Sequence, residues 1–257
     1  MKIARFAAGD IVKYGLVEGN AVRGLKYSPF SALGGAFETD GLNYQINDVK
    51  LLAPCVPSKL VCIGLNYRAH IAEGTHEPPR LPLIFLKPPS AVIGPDDEIV
   101  LPTDGRTDHE AELAVVIGRA AKDVTENEAR NYILGYTCIN DVSERVIQHG
   151  DGQWTRGKGF DTFAPMGPWI VTDINADNLK VEALVNGQVK QSSNTSYLIF
   201  GIATLVSFIS GVMTLLPGDI IATGTPEGVS QLKHGDTIET RLENIGTLRN
   251  YVVSKKR

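Results

Sequence analysis

The 257-residue chain carries 25 basic and 29 acidic side chains, a formal net charge of −4 spread along its length rather than gathered in runs, so it lacks the electrostatic footprint of a nucleic-acid binder. It is long enough to bury a sizeable core as one large domain, or one domain with a small appendage. Its three cysteines, Cys55, Cys62 and Cys138, are odd in number and form no Cys-x-x-Cys pair; this argues against a disulfide framework or a zinc ribbon and, with no apolar signal run after Met1, predicts a cytoplasmic protein.

Residues 1–55 read as short strands at 2–6, 12–17 and 21–25, with a Glu18-Gly19-Asn20 turn and a boundary marked by Pro54 and Pro57. They predict a small N-terminal β domain over 1–55 beside a larger domain over 56–257. In the larger part, 59–64 reads as a strand and 66–74 as a short helix or lid. On such a helix His70 and Glu73 face the same way, so the carboxylate either holds the imidazole as a general-base dyad or forms a solvated surface pair with it. The Pro-rich 75–80 reads as a flap, and a strand at 83–86 leads to Lys87 and a Pro pair.

The stretch 108–118, Asp-His-Glu-Ala-Glu-Leu-Ala-Val-Val-Ile-Gly, is apolar and β-branched towards its end and predicts a buried strand. On a strand Glu110 and Glu112 point to one face about 6.6 Å apart. Two carboxylates so placed, with Asp141 as a third, suit a hard divalent cation; the competing reading is the wet face of a half-exposed strand. Thr125-Glu126-Asn127-Glu128 reads as a capping box opening a helix to Leu134, followed by a strand at 136–139. Asp141 or Ser143 is alternatively the N-cap of a helix through Gln148. On that helix Arg145 and Gln148 are three apart and both reach towards a bound carboxylate.

Lys158 stands between Gly157 and Gly159, where backbone approaches a ligand closely or the lysine is simply solvated. Asn186-Gly187 is a hairpin signal. Residues 197–216 are uncharged and as long as a membrane span, but Leu198, Ile202, Leu205, Val206 and Ile209 form one stripe and Thr204, Ser207 and Ser210 another. A buried helix with Gly211 as C-cap is expected, not a span. A second glycine-rich loop occupies 224–229, and strands follow at 237–242 and 248–253. A phosphate loop, a Gly-x-Ser-x-Gly elbow and a His-Glu-x-x-His motif are all absent from the sequence.

Six stretches taken together resemble the fumarylacetoacetate hydrolase family: Gly64-Leu65-Asn66-Tyr67 with His70 and Glu73; Phe85-Leu86-Lys87-Pro88-Pro89-Ser90; Glu110-Ala111-Glu112-Leu113; Asn140-Asp141-Val142-Ser143 with Arg145; Gly157-Lys158-Gly159-Phe160-Asp161; and Thr223-Gly224-Thr225-Pro226. The resemblance implies an α+β fold, a curved mixed β-sheet rolled around a metal site, and a homodimer. It implies that Glu110, Glu112 and Asp141 bind Mg²⁺ or Mn²⁺, that His70 and Glu73 form the lid dyad, that Lys158 stabilises a developing enolate, and that Arg145, Gln148 and Thr225 contact substrate. Val146 after Arg145 and His109 before Glu110 depart from the family pattern and bear on the substrate contacts. The expected activity is metal-dependent hydrolysis of the C3–C4 bond of a 3-acylpyruvate, a small-molecule 2-oxo acid. Oxaloacetate decarboxylation and isomerisation of 2-hydroxyhepta-2,4-diene-1,7-dioate share the same enolate chemistry, and a non-catalytic small-molecule binder is the alternative from another class.

Overall fold

The computed structural model describes residues 1–31, 37–74, 77–102 and 104–255. Its centre is the strand Ala111–Ile117, buried at every position. Antiparallel Ile133–Asn140 flanks it on one side and antiparallel Ile220–Ala222 on the other, and Ile220–Ala222 pairs in parallel with Leu60–Gly64. A strand inside a sheet covered on both faces loses the polar alternation of a half-wet strand, which is why Leu113 to Ile117 read as an unbroken apolar run. Leu113, Val115 and Ile117 face one core cluster, together with the helix Ile202–Val212, while Ala114 and Val116 face a second. A five-stranded sheet containing Lys180–Val185, Thr237–Leu242 and Gly246–Ser254 packs Val181, Ile238 and Leu248 into the first cluster. The result is the α+β, mixed-sheet architecture with few helices that the resemblance implies.

The N-terminal strands Lys2–Ala8, Ile11–Glu18, Ala21–Leu25 and Thr39–Gln45 form an antiparallel succession. Lys2–Ala8 also pairs with Ala164–Val171, which carries this succession into the large sheet. All three cysteines are free and buried.

Two helix expectations are corrected. The capping-box side chains do meet, Thr125 Oγ1 donating to Glu128 Oε2 at 2.7 Å, but only a 3₁₀ turn over Ala129–Tyr132 follows, and Ile133 and Leu134 belong to the strand Ile133–Asn140. Sheet pairing prevails there: Ile133–Asn140 pairs with strands on both edges, and Gly135 lets one of them come close, a Cβ at that position falling 2.5 Å from the Val171 carbonyl oxygen. In the second case the apolar stripe Ile202, Leu205, Val206 and Ile209 is buried as expected. Leu198, however, precedes the helix, and Gly211 lies within it, the C-cap being Met213. Ser210 turns inward because its hydroxyl accepts from the Val124 amide at 3.0 Å and donates to the Ser207 carbonyl at 2.9 Å. Among the described residues no helix is long and apolar enough to cross a membrane.

Asn186 and Gly187, with φ of +51° and +78°, close the expected hairpin between Lys180–Val185 and Gln188–Asn194. The parallel pair at the sheet centre is clasped by fully buried Asp219. Its carboxylate accepts from the Ser58 amide at 3.0 Å, Ser58 Oγ at 2.6 Å, Lys59 Nζ at 2.5 Å and the Leu216 amide at 2.7 Å. Asp219→Ala takes the shared acceptor away from these part-buried donors and is expected to lower unfolding free energy by about 1 to 3 kcal/mol in urea titration. A loss under about 1 kcal/mol would place the clasp among weak surface pairs instead.

Candidate active site

The sheet register brings the acidic residues together. Ala111 opposes Asn140, so Asn140 Oδ1 accepts from the Glu110 amide at 2.9 Å and the Asp141 amide donates to the Glu110 carbonyl at 2.9 Å. Glu110 and Glu112 share a face, as alternation requires, and Asp141 arrives from the next strand. Each offers a carboxylate oxygen within 4.8 Å of the others, and all three are buried. The competing N-cap role is taken by Glu144: its Oε2 accepts from the Ile147 amide at 2.6 Å and opens the helix Arg145–Gly150. Ser143 donates instead to the Asp141 carbonyl at 2.9 Å. The Asp141 carboxylate therefore stays with the acidic cluster.

Lys158 is not solvated. It ends the one-turn helix Thr155–Lys158, is 3 % exposed, and donates from Nζ to Glu110 Oε2 and Asp141 Oδ2, both at 2.7 Å. The flanking glycine has a steric reason: a Cβ on Gly157 would lie 2.7 Å from the Gln148 amide nitrogen, so only glycine lets this turn seat against Arg145–Gly150. Arg145 and Gln148 meet, as their spacing predicts, at 2.9 Å. The same guanidinium donates to Glu110 Oε1 at 2.6 Å and to Asp108 Oδ2 at 2.9 Å.

Two residues of this network carry no assigned role in the sequence reading. Fully buried Lys87 donates to Asp141 Oδ1 at 2.5 Å and to the Val142 carbonyl at 3.0 Å. Asp108 is likewise buried and holds both Arg106 and Arg145. A lysine ending an apolar strand was the available signal for Lys87; for Asp108 the local signal was Arg106 two residues before it, while Arg145, the partner that ties it to the site, lies 37 residues away.

Burial pushes Glu112 well above the usual carboxylate range, and the neighbouring charges of Asp141 and Glu110 push it further; the Lys158 charge and the Gly224 amide, which donates at 2.7 Å, oppose them. Burial acts on Glu110 in the same direction, but Lys158 and Arg145 outweigh it and hold that carboxyl well below its ordinary value. Lys158 is raised despite burial because Asp141 and Glu110 favour its charged form. Three buried carboxylates that offer only oxygen donors, within 4.8 Å of one another, fit a hard divalent cation.

Above the cluster lies the short helix Arg68–Ala72, with Glu73 as its C-cap. His70 Nδ1 and Glu73 Oε2 are 3.0 Å apart, and Glu73 Oε1 accepts from the Gly228 amide at 2.7 Å. The strand-to-lid turn is fixed by buried Asn66, which donates to the Thr223 carbonyl at 2.7 Å and accepts from the Phe200 amide at 2.8 Å. Leu65 before it adopts a positive φ of +56° and lines the cavity. Of the expected flap, Thr75 and His76 lie outside the described residues, and 77–80 carry no regular structure.

A cavity of about 410 Å³ lies between lid and cluster. His70, Glu73, Glu110, Glu112, Arg145, Gln148, Lys158 and Thr225 all line it, and Asp141 sits behind, between the two lysines. The Thr225 hydroxyl donates to the Ala111 carbonyl at 3.0 Å and accepts from Gln191 Nε2 at 2.8 Å. Its proton is thus engaged within the protein, and towards a ligand it presents an acceptor.

Fold and site together define a sheet-built enzyme class with a buried oxygen-donor centre under a His–Glu lid. The Fumarylacetoacetate (FAA) hydrolase C-terminal family model matches residues 59–253, and the Rv2993c-like N-terminal model matches residues 1–54. The chain belongs to the FAA hydrolase family. Protein Rv2993c of Mycobacterium tuberculosis is 48% identical over 99% of both chains. The mitochondrial oxaloacetate tautomerase Fahd2a of Rattus norvegicus is 43% identical over 80% of this chain and 70% of its own. Among solved structures, 5-carboxymethyl-2-hydroxymuconate delta-isomerase from Mycobacterium smegmatis superimposes with a TM-score of 0.93 at 48% identity, covering 99% of this chain and all of its own. Maleylpyruvate hydrolase from Sphingobium sp. SYK-6, in complex with manganese(II) and pyruvate, superimposes with a TM-score of 0.81 at 30% identity over both full chains.

Proposed function

We propose that this protein is a divalent-metal-dependent enzyme that moves a proton at C3 of a small 2-oxo acid, interconverting its keto and enol or isomeric forms. The single observation that carries this reading is the placing of the His70–Glu73 pair across one cavity from Glu110, Glu112 and Lys158. Glu110, Glu112 and Asp141 hold the ion, Mg²⁺ or Mn²⁺. When bound, it supplies Lewis acidity towards the 2-oxo group.

The chain's own residues do the rest. Lys158, buried against Glu110 and Asp141, sets a fixed positive charge near the oxygen on which negative charge grows as C3 loses its proton. Arg145 and Gln148 orient the substrate carboxylate at the rim. Glu73 engages His70 Nδ1, so the neutral imidazole carries its proton there and offers Nε2 as the base that takes the C3 proton and returns it. The machinery lies within residues 56–257.

Proton transfer comes ahead of the C–C hydrolysis expected from sequence because relatives named for isomerisation and tautomerisation stand at 48% and 43% identity, against 30% for the hydrolase. The hydrolase, whose structure holds pyruvate, still favours a second reading. In it, His70 takes a proton from water attacking C4 of a 3-acylpyruvate, the C3–C4 bond breaks, and pyruvate and a carboxylic acid leave.

Oxaloacetate ketonisation and pyruvate release from acetylpyruvate, each followed with metal-stripped and Mg²⁺-restored protein, separate the readings. Metal-dependent ketonisation is expected; turnover of neither substrate by folded, metal-loaded protein would sink both and leave a binder. His70→Ala is expected to slow ketonisation and any hydrolysis on the order of 10² to 10⁴-fold. It spares any oxaloacetate decarboxylation, which needs no base; an equal loss there would refute the role given to His70.

A further inference from the structure

Gln191 lies on the hairpin strand Gln188–Asn194, outside the six stretches that carry the family resemblance, yet it is fully buried and uses its whole amide group. Oε1 accepts from the Ala111 amide at 2.9 Å, between two members of the acidic triad in sequence, and lies 3.2 Å from His109 Nδ1. Nε2 donates to Thr225 Oγ1 at 2.8 Å and to the Pro226 carbonyl at 2.7 Å. The loop so held runs on to Gly228, whose φ is +92° and whose Cβ, if present, would lie 2.1 Å from the Lys190 carbonyl oxygen. Gly228 is thereby seated on the same strand that carries Gln191, with its amide donating to Glu73.

We propose that Gln191 is a positioning residue that sets the height of the Thr225–Gly228 loop above the acidic strand, and through the Gly228 amide fixes the Glu73 carboxylate that holds His70. A planar amide with an acceptor edge and a donor edge meets both requirements at once: the strand presents an N–H, and the loop presents a hydroxyl and a carbonyl. Leucine at this position fills similar volume and satisfies none of them. The proposal rests on the reading that His70 and Glu73 transfer the proton.

The test is a double-mutant cycle on oxaloacetate ketonisation by the Mg²⁺-bound protein. Gln191→Leu is expected to lower kcat about tenfold or more, with the Mg²⁺ dissociation constant little changed. In a Glu73→Gln background, the same change is expected to add nothing, because the interaction it supports is already gone. Independent, multiplicative losses in the double variant would overturn the proposal, as would loss of Mg²⁺ affinity in place of kcat. If Gln191→Leu fails to fold, Gln191→Glu keeps the acceptor for Ala111 but has no donor for Thr225 and Pro226; wild-type kcat in that variant would equally overturn it. Hydrogen exchange of the Mg²⁺-bound protein reads the coupling without turnover. Faster exchange in 66–74 together with 223–230 is expected in either Gln191 variant, and unchanged exchange in 66–74 refutes the link. Should the wild type turn over neither substrate, the reading of His70 and Glu73 fails alone, and the exchange result still decides the link.

Discussion

Glu110→Gln is expected to reduce metal-dependent turnover on the order of 10³-fold, the scale of losing one preorganised electrostatic partner at a reacting centre. The shape of the side chain is kept, so the loss is one of charge and donor pattern. Glu110 Oε1 accepts from Arg145 and Oε2 from Lys158. Whichever way the amide turns, its NH₂ faces a cation that already donates. The centre also loses one of three carboxylates whose oxygens lie within 4.8 Å of one another. Calorimetric titration with Mg²⁺ or Mn²⁺ is expected to show weaker binding by at least about tenfold, with a folded near-ultraviolet circular dichroism spectrum. Wild-type turnover with wild-type metal affinity would remove Glu110 from the centre.

Lys87→Met is expected to act chiefly on stability, with a larger loss in the absence of metal than in its presence. Removing one partner of a buried ion pair costs about 3 to 5 kcal/mol, because the other charge is left unpaired in low dielectric. Asp141 keeps Lys158 at 2.7 Å, which places the cost towards the lower figure. For a chain of this size a loss of about 3 kcal/mol corresponds to about 6 to 12 °C in Tm. The metal-free cluster becomes more negative by one charge, so a divalent cation binds it more tightly and restores part of the loss by mass action. Thermal melts of stripped and Mg²⁺-saturated protein check this. The variant is expected to gain more from Mg²⁺ than the wild type; an equal gain would show that Lys87 does not face the metal-binding charges.

These two expectations come from different levels of information. The facing of Glu110 with Glu112 and of His70 with Glu73 was legible because alternation on a strand and three-residue spacing on a helix are local geometries that the chain writes directly; Asp141 was joined to them by the family resemblance and not by any local geometry. The Asn-Gly hairpin and the buried run 113–117 were legible for the same reason. Lys158 was legible only as a lysine between glycines, with solvation as good a reading as burial. Its partners are 48 and 17 residues away, and the choice was made by the steric fit of Gly157 against Gln148.

The sequence by itself determined which residue types could form an oxygen-donor centre and on which local faces they stand. Tertiary structure alone decided how their charges balance. The register Ala111↔Asn140 brings Asp141 beside Glu110, Lys87 comes from a strand 54 residues distant, and Gln191 reaches the acidic strand across 80 residues. It also overruled the helix after the capping box, where sheet pairing through Gly135 outweighed a local signal. The physical reason is common to all of these. Periodicity records what neighbours along the chain must do, whereas the energy of a buried charge depends on partners within a few ångströms, whatever their place in the sequence.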